Sequence, residues 1–266
     1  MKYTILLILF VSQIFASVIR APIVTLDSDK EEATIAINHI DVGVSGFVVH
    51  HITPQHSAIL RNATVIAFDK AKKVATIKMS KFNALRNNSL PYGKWQPKVG
   101  DTVELAFGYS RALLIAPNET IYHKISKSVN IQWIHPDLFA TVLSFVGHPT
   151  PLQSDFASFA NATSVGLLFL YLDKKIYTVD IKSFKILAIT DADFKVTKKQ
   201  KPFYTRVNKI DAAWWGEGSS EMQAYAPHYY DLLVKNNRTN QKLYTIVKSH
   251  KEVNNLLGEF ETGKMK

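Results

Sequence analysis

Six short runs rich in β-branched and aromatic residues follow one another between residues 22 and 106, with turn residues between them. Most of the runs last about five to eight residues, the usual length of a strand in a globular protein. The runs are PIVTLDSD, EATIAINHIDVG, SGFVVHHI, NATVIAFD, KVATIKMS and GDTVELAF. This spacing predicts a small antiparallel β-barrel or sandwich over residues 22–106.

A polar segment lies between the fifth run and the sixth, with the sequence FNALRNNSLPYGKWQPK. It contains two prolines and no alternation of apolar and polar residues, so we expect a surface loop. Loops of this length inside compact domains are uncommon and often contact a partner. Tyr92 and Trp95 are therefore predicted as partner-binding residues.

From Phe107 onward the hydrophobic pattern changes. RALLIAP is typical of a buried strand, and NETIYHKISKSV has apolar residues at helical spacing, with Asn118 as its predicted N-cap. NIQWIH is again a strand pattern. The succession strand, helix, strand predicts a βαβ unit at the start of an α/β domain over residues 107–191.

Two more helices and three strands are predicted in this domain. Pro136 stands in the first turn of one helix and Gly147 ends it, while Ser154 is the predicted N-cap of the next. The runs SVGLLFLYL and KIYTVDI predict a hairpin that turns at Asp173 and Lys174. SFKILAIT follows as a third strand.

Residues 192–266 are predicted to form an arm that wraps over the α/β domain. KVTKKQK predicts a solvated connector, and LYTIVKSHKEVNNLLGEF predicts a strand and a short helix. The final GEFETGKMK predicts a flexible tail. The fold class of the whole chain is thus α+β, or mixed: a small barrel or sandwich, then an α/β domain with a C-terminal wrapping arm.

Five aromatic residues of this arm are grouped within a short stretch, namely Trp214, Trp215, Tyr225, Tyr229 and Tyr230. Such a group has two interpretations: a binding platform for a carbohydrate or peptide, or the apolar underside of the arm. Large adjacent aromatic side chains are more often buried, so the underside is the favoured interpretation.

The first residues are typical of a secretory signal. Lys2 precedes the apolar run YTILLILFVSQIF, which is short and interrupted by polar residues. We expect residues 1–16 to be a signal peptide; the alternative is an uncleaved N-terminal anchor. The chain has no cysteine, which fits a bacterial periplasm or cell surface better than the eukaryotic secretory route.

The formal net charge of +10 does not predict a nucleic-acid partner. The excess is spread along the chain and is largest in residues 191–266, which hold 13 basic and 9 acidic residues. Nucleic-acid binding proteins concentrate such charge in a patch or stripe. We therefore expect a protein partner.

Motifs for catalysis or cofactors are not found in the sequence. It has no phosphate-binding glycine loop, no Gly-x-Ser-x-Gly elbow and no His-Glu-x-x-His helix, so neither an enzyme nor a cofactor is predicted. His39, His50, His51 and His56 are close enough in sequence to raise a metal site. Strand alternation sends His50 and His51 to opposite faces, so no metal site is predicted.

Three aspartates lie at predicted helix starts or turns: Asp137, Asp155 and Asp180. A pair of carboxylates can act as acid and base in hydrolysis. Helix capping and turn formation are the more common roles at such positions, and we predict these roles here.

Five stretches in order resemble the N-terminal domain of the PgbA family of plasminogen-binding proteins from Helicobacter and Campylobacter. The resemblance extends from about Val42 to about Tyr230 and is most specific over His135–Phe159. The stretches are VGVSGFVVHH, LPYGKWQPKVGDTVEL, YSRALLIAPNETIYHKI, WIHPDLFATVLSFVGHPTPLQSDFASF and VGLLFLYLDKKIYTVDIKSFKIL.

This resemblance implies a non-catalytic protein that is displayed at the bacterial surface and captures host plasminogen. Longer family members carry a lysine-rich C-terminal extension, from which this chain departs. Lys264 and Lys266 are then the predicted partner-binding lysines. Lys266 combines an ammonium with the α-carboxylate, which is the zwitterion that a lysine-binding kringle recognises.

Two other functions remain as alternatives. The chain fits a periplasmic structural or assembly scaffold that docks to proteins of the cell envelope. The third interpretation is an enzyme, which a deep pocket lined by coupled titratable groups would indicate.

Overall fold

The computed structural model of the chain describes residues 18–82 and 95–265. In these residues a closed six-stranded barrel is followed by a five-stranded mixed sheet that is packed with helices. The predicted α+β class is confirmed, and the barrel is the correct choice over the sandwich. The predicted signal peptide, residues 1–16, lies outside the described residues.

All neighbouring strands of the barrel are antiparallel, in the order β1-β2-β5-β4-β3-β6. Alternate side chains point inward, such as Ile35 on β2 and Ile77 on β5, which are fully buried. Pairing of β1 with β6 closes the ring and leaves no free edge. The strands are β1 (Ile19–Asp27), β2 (Glu32–Ala36), β3 (Ser45–Thr53), β4 (His56–Asp69), β5 (Val74–Lys81) and β6 (Thr102–Leu105).

The mixed sheet has the strand order β11-β10-β9-β7-β8. β7 is parallel to both β8 and β9, whereas β9, β10 and β11 are antiparallel neighbours. The predicted βαβ unit and the hairpin at Asp173 and Lys174 are confirmed. The elements are β7 (Arg111–Ile115), α1 (Glu119–Ser128), β8 (Gln132–Ile134), α2 (Pro136–Val146), α3 (Gln153–Thr163), β9 (Leu167–Leu172), β10 (Lys175–Asp180) and β11 (Ile186–Asp191).

Local capping fixes where these helices begin and end. The Asn118 side chain accepts a hydrogen bond from the Ile121 amide at the start of α1, and Gly147 ends α2 with a left-handed backbone, φ 77°. Both caps were predicted. The predicted cap of α3 is wrong: the N-cap is Leu152, because the Asp155 carboxylate accepts from the Leu152 amide at 2.8 Å.

Helices complete the C-terminal part: α4 (Tyr225–Asn236), α5 (Gln241–Ser249) and two short 3₁₀ helices, Lys251–Glu259 and Thr262–Lys264. The strand predicted from LYTIV is wrong, since this stretch belongs to α5. Leu243, Ile246 and Val247 recur at helical spacing and are buried, and Asn240 caps the helix. Among the described residues, the helices are too short or too polar to span a bilayer.

Two apolar clusters form the core, one on each face of the mixed sheet. One cluster joins the barrel interior to α1 and to side chains such as Leu114 and Phe169 on the near face. The other is formed by α2 to α5 and the far face, with Leu113 and Leu170 at its centre. The domain boundaries predicted at residues 106 and 191 stay a prediction.

Asp180, at the end of β10, joins the barrel to the sheet. Its carboxylate is fully buried and accepts hydrogen bonds from Ser45 and Tyr109 as well as from its own turn. Burial, with the nearby Asp180 charge, raises the pKa of the Tyr109 hydroxyl, so this hydroxyl stays a donor. The turn role predicted for Asp180 is therefore correct but incomplete.

Lys182 follows in the same turn and is also largely covered. Its ammonium lies 4.1 Å from the centre of the Phe47 ring on the barrel. Burial lowers the pKa of Lys182 to about 8. The Asp180 carboxylate and the aromatic ring favour the charged form and oppose this shift, but burial has the larger effect.

This lowered pKa predicts a stability that rises in alkaline solution. The unfolded lysine has a pKa near 10.4, so between about pH 8 and pH 9, below the range in which unfolded tyrosines titrate, the unfolded chain binds more protons than the folded one. We expect the free energy of unfolding to rise by about 1 kcal/mol across this window. Urea unfolding at several pH values measures it. The Lys182→Met variant should lose this rise, and an equal rise in the variant would contradict the assignment.

Candidate partner-binding site

The C-terminal segment, residues 251–265, is held against the helical side of the sheet. Val253, Leu256 and Phe260 are buried in the core below α4 and α5, and Met265 packs on the same cluster. The expected flexible tail is thus wrong up to Met265, because apolar side chains at regular intervals fix the segment. Lys266 lies outside the described residues.

Lys264 is the predicted lysine that the structure places. Its side chain is 75% exposed, and its ammonium lies 2.8 Å from the Glu261 carboxylate. This hydrogen bond lowers the pKa of the Glu261 carboxyl and raises the pKa of Lys264, so both stay charged at neutral pH. A second exposed pair joins Glu259 of this segment to Arg238, which lies between α4 and α5, at 3.3 Å.

Trp95 lies on the barrel at the end of the predicted loop. Its ring centre is 6.2 Å from that of His50, and its side chain is about half exposed. His50 Nδ1 is 2.7 Å from an oxygen of the buried Asp101, and this contact holds the imidazole beside the indole. Tyr92 lies outside the described residues. Trp95 and Lys264 belong to different parts of the molecule, and the structure does not bring them together.

Three of the four histidines considered as metal ligands have other partners, and the first of them, His39, lies 3.7 Å from a carboxylate oxygen of Asp41. His50 pairs with Asp101, His56 contacts Thr53 at 3.0 Å, and His51 is exposed on the neighbouring position of β3. Over residues 18–82 and 95–265, no group of three or more His, Cys, Asp or Glu side chains could hold a metal ion.

Of the two remaining aspartates of the carboxylate hypothesis, Asp155 helps to cap α3 as predicted, whereas Asp137 does not cap α2, because its N-cap is His135. One oxygen of the Asp137 carboxylate accepts hydrogen bonds from the Thr205 hydroxyl and from the Arg206 amide, both at 2.8 Å. Both residues lie in the segment that follows β11. Asp155 pairs with His148 at 2.9 Å while it caps α3. These carboxylates fasten loops to helices.

The five aromatic residues of the arm fall into a buried group and an exposed group. Tyr225, Tyr229 and Tyr230 are buried on the sheet through α4, which makes them the underside that was favoured. Trp214 and Trp215 are 101% and 86% exposed. The sequence does not separate these two groups, because both are aromatic residues in a glycine-containing stretch.

Exposed apolar side chains on α2, which sequence reasoning missed, lie next to the loop that carries these two tryptophans. The loop before them is fixed to the last turn of α2, since the Ala213 amide donates to the Gly147 carbonyl at 2.8 Å. Gly147 allows this approach, because a Cβ there would lie 2.5 Å from the Ala213 nitrogen. We call these side chains the tryptophan surface; its members are Leu138, Phe145, Val146, Trp214 and Trp215.

Comparison with known proteins agrees with the resemblance. The sequence model of the family described as "Plasminogen-binding protein pgbA N-terminal" matches residues 18–233. The Plasminogen-binding protein PgbA of Helicobacter pylori strain J99 is 30% identical over 228 residues, which cover 84% of this chain and 49% of that protein. Its counterpart from strain 26695 is 29% identical over the same length.

This chain spans about half the length of the curated relatives it matches. No solved structure matches it significantly. The family match covers the barrel, the mixed sheet and most of α4. The chain therefore belongs to the family of the plasminogen-binding protein PgbA N-terminal domain.

Proposed function

We propose that the chain is an exported, non-enzymatic binding protein that captures plasminogen through lysines of its C-terminal segment. The name of the relatives supports plasminogen as the partner, and the apolar run after Lys2 supports export. The observation that carries the lysine mechanism is the 75% exposure of Lys264 on a segment that Phe260 anchors.

Lysine recognition by a kringle requires an ammonium and a carboxylate at a fixed separation. Lys266 is proposed to provide both groups, through its side chain and its α-carboxylate. At Lys264 the ammonium first has to leave Glu261, whose side chain then serves as the carboxylate, and an exposed ion pair of this kind opens at little cost. Anchoring the preceding segment keeps the ordering cost of the complex low.

Lysine variants test this mechanism. We expect Lys264→Ala and deletion of Lys266 each to weaken plasminogen binding by about threefold to tenfold, since each removes a charge-assisted contact. Binding of purified protein to immobilised plasminogen, at physiological ionic strength, measures the change. One added glycine after Lys266 should also weaken binding, because it moves the carboxylate.

Lys70→Ala is the matched control, because Lys70 is an exposed lysine on the barrel. Lysines of a basic protein attract acidic surfaces generally, and this contribution falls with added salt. Equal affinities for the wild type, the Lys264 variant and the Lys266 deletion would remove both lysines from the mechanism.

A second candidate function, a periplasmic scaffold that docks to envelope proteins, is favoured by the tryptophan surface. Its three aromatic side chains together present roughly 450–750 Å². This is close to the roughly 800 Å² that each partner of a standard protein interface buries. A protein of the envelope would cover them.

Fractionation of intact cells separates the two functions. Plasminogen capture requires that protease added to intact cells digest the chain, because plasminogen is an external protein. The scaffold predicts full protection until the outer membrane is opened. In that case Trp214→Ser with Trp215→Ser should release the chain from its partner in pull-downs, whereas Trp95→Ser should not.

A further inference from the structure

A cavity of about 490 Å³ lies at the edge of the mixed sheet where β7 and β9 end. Because these strands are parallel neighbours, their carboxyl ends meet there, which is where α/β sheets commonly bind ligands. The volume is within the usual range for small-molecule sites, roughly 300–1,000 Å³. Neither Trp95 nor Lys264 lines this cavity.

The floor of the cavity consists of aromatic rings and aliphatic side chains. The rings of Tyr171 and Phe194 are stacked with centres 5.8 Å apart. The hydroxyls of Tyr171 and Tyr225 are already occupied: each donates to backbone carbonyls at 3.1 to 3.3 Å. A ligand on this floor therefore meets apolar surface. The other apolar lining residues are Pro117, Leu172, Val196 and Ala226.

The rim of the cavity carries an excess of positive charge. Lys174 is paired with Asp193 at 2.8 Å, and Asp173 lies 3.8 Å from His250. The remaining charged lining residues are Lys195 and Lys199. In the part of the chain that the structure describes, no carboxylate lies within ion-pair distance of either ammonium.

The connector that carries these two lysines is fixed on both sides of them. The Phe194 amide donates to the Tyr171 hydroxyl at 3.3 Å, and the Gln200 amide donates to the Pro117 carbonyl at 2.6 Å. Asn118 also donates from its side chain to the Lys198 carbonyl. The backbone around Lys195 and Lys199 is thus held beside the cavity before any ligand arrives.

We infer that this cavity binds a small organic anion with an apolar body. Lys195 and Lys199 meet the anionic group, and the partly exposed side chains of Phe194 and Val196 pack against the body. An inorganic anion would leave the apolar floor without a contact, and a cationic ligand would face the unpaired ammonium groups. The ligand therefore needs both an anionic group and an apolar body.

A matched pair of fluorescent probes tests both requirements. Anilinonaphthalenesulfonate has an apolar ring system and one negative charge, and phenylnaphthylamine has the same rings without the charge. We expect saturable binding of the sulfonate to one site, and binding of the neutral probe at least about tenfold weaker. Dodecanoate and naphthoate should displace the sulfonate, and the more potent of them shows whether the body is an alkyl chain or a ring.

Variants locate the probe. Lys195→Gln with Lys199→Gln should weaken sulfonate binding about tenfold, and Val196→Trp, which fills the cavity, should abolish it. Lys198→Gln is the matched control, because Lys198 is an exposed lysine of the same connector that does not line the cavity. Trp214→Ser with Trp215→Ser controls for the probe on the tryptophan surface. Circular dichroism checks that each variant is folded.

Three results would overturn the inference. They are no saturable sulfonate binding, equal affinity for the neutral probe, and loss of binding in the tryptophan variant with no loss in the lysine and Val196 variants. Plasminogen binding is measured separately, so a cavity that binds no probe would not contradict the proposed function.

Discussion

Replacing Asp180 with alanine is expected to lower the free energy of unfolding by about 4 kcal/mol, the largest single effect that we predict. One carboxylate oxygen accepts from the Ser45 amide at 2.9 Å, the Ser45 hydroxyl at 2.7 Å and the Tyr109 hydroxyl at 2.8 Å. The other accepts from the amides of Lys182 and Ser183. Alanine leaves these buried donors without a partner.

Urea unfolding of the purified variant measures the loss at Asp180. Asp180→Asn keeps the shape but has one acceptor oxygen for donors on two sides, so an intermediate loss of about 2 kcal/mol is expected. Asp29→Ala, in an exposed turn, is the control and should change stability little. An Asp180→Ala variant as stable as the wild type would show that this carboxylate does not hold the barrel to the sheet.

Gly46→Ala is expected to cost about 3 kcal/mol, because the strands β3 and β6 approach each other too closely there for a side chain. A Cβ on Gly46 would lie 1.9 Å from the Glu104 carbonyl oxygen and 2.8 Å from the Leu105 Cα. Both contacts are with backbone, so a change of rotamer cannot relieve them and the barrel itself would have to shift.

Gly258→Ala is the matched control for this substitution. It lies in the first 3₁₀ helix, and a Cβ there meets no atom within 4 Å. Its unfolding free energy should stay within about 0.5 kcal/mol of the wild type. Thermal and urea unfolding of the two variants compare them directly, and equal stabilities would contradict the close packing of β3 on β6.

The barrel and the order of elements in the sheet could be predicted because their signals are local. Alternation places Ile35 and Ile77 inside the barrel, and Asn118 and Gly147 mark helix ends by their own backbone chemistry. These patterns need no knowledge of distant residues. Predictions from these patterns were confirmed for elements whose own residue pattern shows which face is buried.

The missed features depend on contacts between distant parts of the chain. The Asp180 turn was predicted, but its partners Ser45 and Tyr109 are 135 and 71 residues away. LYTIV has the composition of a strand, and packing of Leu243 on the core makes it a helix. Propensity alone cannot show which of these competing patterns tertiary packing selects.

The candidate site was predictable only in part for the same reason. The loop pattern predicted Trp95 and the family resemblance predicted Lys264, and both side chains have exposed surface. The sequence did not show that Phe260 and Met265 fix the tail, or that Phe145, Trp214 and Trp215 are exposed. Exposure is a property of the folded neighbourhood, which a single sequence does not record.

Plasminogen binding by the purified chain, with and without the lysine analogue ε-aminocaproate, tests the proposed function most directly. The proposed mechanism predicts saturable binding at physiological ionic strength that the analogue abolishes, because the analogue would occupy the kringle pockets proposed for Lys264 and Lys266. Binding that the analogue leaves unchanged would contradict the lysine mechanism. No binding at all would contradict plasminogen capture by this chain.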